Sequence, residues 1–148
     1  MFEQDARQEY VYDRCARDLV LSTLEGFNAT VFAFGQTGAG KTYTMLGTET
    51  QPGIMFQTLK ALFDRSNAIE QDKSAGKEYK VSLSYLEVYN ELIRDLLTPS
   101  SDYLDLREDP IKGPTVSGIS EISVDSPEHV MRLFQQGNKR RTQEPTAA

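Results

Sequence analysis

The sequence predicts an α/β protein built in three layers: a central, mostly parallel sheet, flanking helices and a small antiparallel hairpin. Three observations carry that expectation. Residues 30–34 (TVFAF) form a short apolar run between Asn28 and Gly35, the pattern of a strand buried on both faces. A glycine-rich octet, GQTGAGKT, follows at once and opens on helix-forming residues. Helical and strand-like patterns then alternate along the 148 residues.

Each element has its own signal. Residues 8–24 place Val11, Cys15, Leu19 and Val20 near a 3.6-residue period, an amphipathic helix that Gly26 ends. Cys15 therefore belongs to the expected core. The helix opened by the octet is interrupted at Gly47 and Pro52-Gly53, then resumes over residues 54–66 with Met55, Leu59, Leu62 and Phe63 on one face. Residues 67–78 are polar, contain Gly76 and read as a surface loop. Residues 79–89 alternate Val81, Leu83 and Tyr85, one long strand. Tyr85 and Glu87 share a face of it, so one is exposed or hydrogen-bonded. Tyr85, Tyr89, Phe56 and Phe63 are expected in the core.

Leu92, Ile93, Leu96 and Leu97 switch to helical spacing over residues 90–97, and Pro99 stops that helix. Short strands at 103–107 and 115–124 frame a hairpin around Pro110, Gly113 and Pro114. Ser126-Pro127-Glu128 supplies a capping hydroxyl and an N1 proline for a last helix that turns Val130, Leu133 and Phe134 inward and runs towards Arg141. The first helix has no strand before it to pack on.

Composition narrows the function classes. The residues are 39% hydrophobic and 26% charged, the balance of a folded domain. A net charge of -6 argues against a general nucleic-acid binder, which needs a basic face. One cysteine excludes an internal disulfide and fits a reducing compartment. No apolar run approaches the roughly 20 residues of a membrane span. The first ten residues carry acids where a secretory leader has a basic and then an apolar region.

The octet satisfies G-x-x-x-x-G-K-[ST] in full. Gly35, Gly38 and Gly40 let the backbone turn tightly, so that the amides of Gln36, Thr37, Ala39 and their neighbours aim at phosphate oxygens. The following helix adds its positive end. Lys41 reaches the β- and γ-phosphates, and Thr42 offers its hydroxyl to Mg²⁺. A P-loop NTPase-like fold is the reading; a dinucleotide-type loop fails for want of a third glycine. Hydrolysis needs more: a second carboxylate beside Mg²⁺ and groups that place water and sense the γ-phosphate. Asp125 is a weak candidate for that carboxylate, since ISEISVD alternates like a half-exposed strand. No catalytic residue is identified. His129 has no partner ligand for a metal. Lys139, Arg140 and Arg141 read first as a solvated helix end.

NATVFAFGQTGAGKTYTMLG resembles the nucleotide loop of kinesin motor domains. SYLEVYNELIRDLL resembles their next core strand and the segment after it, and GNKRRTQEPTAA the helix end before their first switch. REDPIKG and RTQEPTAA are most similar to the kinesin-eight subfamily. The resemblance implies an ATP- and Mg²⁺-dependent microtubule motor in the cytoplasm, on the microtubule cytoskeleton of a cilium or spindle, with a parent dimerised through other segments. It places Tyr43 near base and ribose, residues 48–54 in the loop that interrupts the helix, residues 107–124 in a tubulin-facing hairpin and residues 138–141 under the first switch. It also implies that residues 1–148 are an internal part of a motor domain, without the N-terminal strand, both switches and the neck linker. Alone, such a part leaves strand edges uncovered and is expected to be catalytically incompetent. The alternative is a non-catalytic nucleotide- or tubulin-binding module.

Overall fold

A computed structural model describes residues 2–3, 5–71, 76, 78–100, 102–111 and 113–141. The chain divides into two compact units, residues 1–79 and 80–148.

The first unit is helical. The expected first helix is two: α1 (Gln8–Cys15) and α2 (Arg17–Leu24), broken at Ala16, whose φ of -130° leaves the helical region. The inward stripe is Gln8, Tyr12, Ala16 and Val20, one position from the predicted one. Cys15 is consequently exposed, a correction. Apolar character misled here. Gln8 is buried because its Nε2 donates to the Tyr43 carbonyl at 2.7 Å, which satisfies the amide. Tyr12 and Ala16 cluster with Ile54, and Val11 and Ala61 pack on them. α3 (Lys41–Met45) follows the octet, and Gly47 bridges Pro52 before α4 (Ile54–Gln71), as the glycine and proline signals predicted. α4 runs past residue 66 into the expected loop, with Ile54, Phe63 and Ser66 buried; the Ser66 hydroxyl donates to the Phe63 carbonyl. The predicted loop residues 72–75 and 77 lie outside the described residues.

The run 30–34 is not a strand. Phe32 is 81% and Phe34 96% exposed. A buried strand needs neighbours for its amides and both its faces, and among the described residues no strand pairs with this one.

Among its described residues the second unit holds six strands, paired by twos and all antiparallel. The mostly parallel central sheet is therefore not formed by the described residues. β1 (Val81–Leu83) pairs with β6 (Ile122–Val124). The expected long strand breaks at Ser84-Tyr85, and β2 (Leu86–Tyr89) turns straight into β3 (Leu92–Asp95). Residues 90–97 were expected to be helical. Asn90 (φ 48°) and Glu91 (φ 64°) instead make a two-residue turn of the primed hairpin type. Pairing sets Glu87 against Arg94 and Val88 against Ile93, so tertiary pairing overrides a local helical pattern. Tyr89, at 37% exposed, lies outside the core. β4 (Asp105–Asp109) and β5 (Gly113–Ser117) form the hairpin expected around Pro110.

α5 (Pro127–Asn138) begins as predicted, with the Ser126 hydroxyl accepting from the His129 amide at 3.3 Å. It buries Val130, Phe134 and Gly137. Leu96, Leu97 and Val124 are buried in the same unit.

Candidate functional site

Within the first unit, residues 35–42 fold into a loop that closes on its own lysine. The Lys41 ammonium donates to the Gly35 carbonyl at 2.7 Å and to the Gln36 carbonyl at 2.8 Å. The Ala39 amide donates to the Gln36 carbonyl at 3.1 Å, a tight turn. Gly38 (φ 84°) and Gly40 (φ 86°) sit in the left-handed region, which side-chain-bearing residues rarely enter. Gly40 is the N-cap of α3, so the chain passes from a left-handed residue directly into a helix.

That geometry leaves a set of donors. The amides of Gly38, Gly40, Lys41 and Thr42 make no backbone hydrogen bond to the described residues. The last two begin a helix, where amides lack intrahelical partners. Thr37, Gly38, Gly40 and Thr42 are all exposed. Four amides, one ammonium and one hydroxyl are the donor set that a polyphosphate with its divalent cation requires, and the residues present fit that group.

Tyr43, the next residue, is held at two points. Its carbonyl accepts from Gln8, and its hydroxyl donates to Gln51 Oε1 at 2.5 Å. The residue is exposed. Neither glutamine was singled out in the sequence, and a polar side chain on a helix or loop gives no signal of such a role.

The other candidates fall elsewhere. Asp125 and His129 lie in the second unit. The Asp125 carboxylate is exposed and accepts from the Ser126 hydroxyl at 3.0 Å, and its Oδ1 lies 3.1 Å from His129 Nδ1. These contacts hold its pKa below the usual carboxylate value and assign it to the start of α5. Among the described residues no group of three metal-ligating side chains occurs.

The basic helix end is not simply solvated, a second correction. Arg140 Nη1 donates to the Leu96 and Leu97 carbonyls, each at 2.7 Å. Arg141 Nε lies 3.6 Å from Glu87 Oε1, whose side chain is only 11% exposed. Tyr85 resolves its side of the question by donating to Asn138 Oδ1 at 2.6 Å, its ring edge-on to Phe134. Burial pushes the Tyr85 phenol above its ordinary pKa, so it remains a donor.

Solved structures define the class. A KIF14 motor with ADP, in complex with a microtubule, is similar with a TM-score of 0.85 at 35% identity, over 99% of this chain and 42% of that one. A KIF14 dimer in a two-heads-bound state, with AMP-PNP and a microtubule, is similar with a TM-score of 0.82 at 37% identity, over 92% of this chain and 38% of that one. The fold is thus a partial P-loop NTPase α/β fold with small antiparallel sheets.

The kinesin motor domain family model matches residues 1–148, and the chain belongs to that family. Kinesin-like protein KIF19 of Homo sapiens is 54% identical over 99% of this chain, and Kinesin-like protein KIN-8B of Arabidopsis thaliana is 47% identical over 98%. Similarity to a kinesin-eight name agrees with the resemblance of REDPIKG and RTQEPTAA. The chain spans 14% and 17% of the length of these two relatives.

Proposed function

We propose that this chain is the nucleotide-loop part of an ATP-driven microtubule motor. The observation that carries this is the loop itself: left-handed Gly38 and Gly40, the unengaged amides of Gly38, Gly40, Lys41 and Thr42, and a lysine whose ammonium is held on the loop's own carbonyls. Family membership and the nucleotides named with the KIF14 structures support it.

The residues divide the work. The amides of Gly38, Gly40, Lys41 and Thr42 surround phosphate oxygens. Lys41 exchanges the carbonyls of Gly35 and Gln36 for the β- and γ-phosphates, a stronger charge-assisted pairing. The Thr42 hydroxyl binds Mg²⁺, which supplies charge neutralisation between the phosphates when bound. Tyr43 lies beside base and ribose. Microtubules are the partner, and the microtubule cytoskeleton, in cilium or spindle, is the location. On this reading residues 1–148 bind the nucleotide, and no residue among them is assigned to activating water or sensing the γ-phosphate.

Thermal unfolding with and without Mg²⁺-ATP tests the reading. At 100 times the dissociation constant the nucleotide stabilises by about 2.7 kcal/mol. Lys41→Ala should erase that increment. Equal stabilisation of both chains would remove the phosphate role from the loop.

A further inference from the structure

A second basic site lies in the second unit. A cavity of about 380 Å³ is lined by Arg94, Asp95, Thr98, Pro99, Ser100 and Arg140. Two guanidinium groups and two hydroxyl side chains face one carboxylate.

That carboxylate is committed. Asp95 Oδ1 accepts from the Leu97 amide at 2.7 Å and the Thr98 amide at 3.3 Å, and Oδ2 accepts from the Ser120 amide at 2.7 Å. Arg140 spends only Nη1 on the Leu96 and Leu97 carbonyls, so Nη2 and Nε carry none of that load. Asp95 keeps its negative charge, so the two guanidinium groups of Arg94 and Arg140 leave the lining with a net charge of one positive unit, which suits an anion, and a planar guanidinium suits a phosphoryl group.

Thr98 stands at its rim. The residue is exposed, its hydroxyl contacts the Ser120 hydroxyl, and it is followed by Pro99. A residue before proline is biased towards extended backbone, and the Thr98-Pro99 pair is exposed. The other such pair, Ser126-Pro127, is closed into the start of α5, where the Ser126 hydroxyl accepts from the His129 amide.

We propose that Thr98 is a phosphorylation site for a proline-directed protein kinase, and that the cavity of Arg94 and Arg140 receives the phosphoryl group. The Thr98 hydroxyl oxygen forms a bond to the terminal phosphorus of a nucleoside triphosphate. The bond from that phosphorus to the diphosphate breaks, and the hydroxyl proton passes to the kinase's base. The product carries a charge of about -1.5 to -2 and three acceptor oxygens at pH 7. It competes with the Leu96 and Leu97 carbonyls for Arg140, and so acts on the turn that follows α5.

The test is phosphorylation of the full chain by proline-directed kinases, site mapping by mass spectrometry, and ³¹P titration of the product. The expected result is one phosphate, at Thr98, absent from Thr98→Ala. Its second pKa should lie about one unit below the usual value of about 6. The shift should shrink in Arg94→Gln and in Arg140→Lys, which keeps a donor for the two carbonyls. No phosphate on Thr98, phosphate on Ser126 instead, or a titration unmoved by both arginine variants would each overturn the proposal.

Discussion

Replacing Gly137 by alanine sets a methyl group where the Tyr85 ring lies. An ideal Cβ at that position falls 2.6 Å from Tyr85 Cδ1, 2.7 Å from Cε1 and 3.2 Å from Leu96 Cβ. Carbon atoms in good contact stand about 3.5–4.0 Å apart, so the ring must move by about 1 Å. Its freedom is small, because the hydroxyl is tied to Asn138 and the ring edge rests on Phe134 at 4.9 Å between centroids. Forcing a methyl group into packed surroundings costs about 1–3 kcal/mol. Moving the ring also weakens the Tyr85–Asn138 hydrogen bond, worth about 1 kcal/mol. Alanine gains about 1 kcal/mol over glycine in a helix interior. The net expectation is a loss of about 1–3 kcal/mol, read as a lower urea midpoint at unchanged slope. Tyr85→Ala in the same chain should remove most of the penalty for the added methyl group, giving a favourable coupling in a double-mutant cycle. Stabilisation by Gly137→Ala, as propensity alone dictates, would refute the packing argument.

Three further outcomes follow from the same geometry. Glu91→Gly should stabilise the β2–β3 hairpin, since a left-handed residue costs about 1–2 kcal/mol and glycine returns part of that in chain entropy; a lower urea midpoint would contradict it. For Asp95, burial raises the carboxyl pKa, but the donors from Ser120, Leu97 and Thr98 outweigh it and the net shift is downward. A depressed folded pKa adds stability above the unfolded value of about 3.9 and loses it as pH falls through the folded value, so Asp95→Asn should flatten the acid limb of an unfolding-versus-pH curve. The same variant replaces an accepting oxygen by an amide donor and should cost about 1–3 kcal/mol at neutral pH in chemical denaturation.

How much was legible in the sequence depended on where the decisive interaction lies. The octet, the start of α5 and the β4–β5 hairpin were readable, because each is fixed by neighbours within a few residues: Gly38 and Gly40 for a left-handed turn, Ser126 and Pro127 for a cap, Pro110 and Gly113 for a reversal. Residues 90–97 were not, because their helical spacing gave way to pairing with residues 86–89. Residues 30–34 carry a strand pattern that only a neighbouring strand can realise. The inward stripe of α1 was misread by one position, because a buried glutamine looks polar until its acceptor is known. The Arg140 contacts span more than forty residues and leave no local trace.

The end of α5 is secured in an unusual way. Helix ends ordinarily fray one residue at a time, and their amides exchange with solvent through openings of near-zero free energy. Here Asn138, the last residue of α5, and Arg140 and Arg141 just after it reach Tyr85, the Leu96 and Leu97 carbonyls and Glu87, three different places on residues 85–97. Releasing one residue strains the other two, so the terminus opens as a unit or stays closed. It should behave as a latch rather than a fringe, with slow hydrogen–deuterium exchange extending through the last turn of α5.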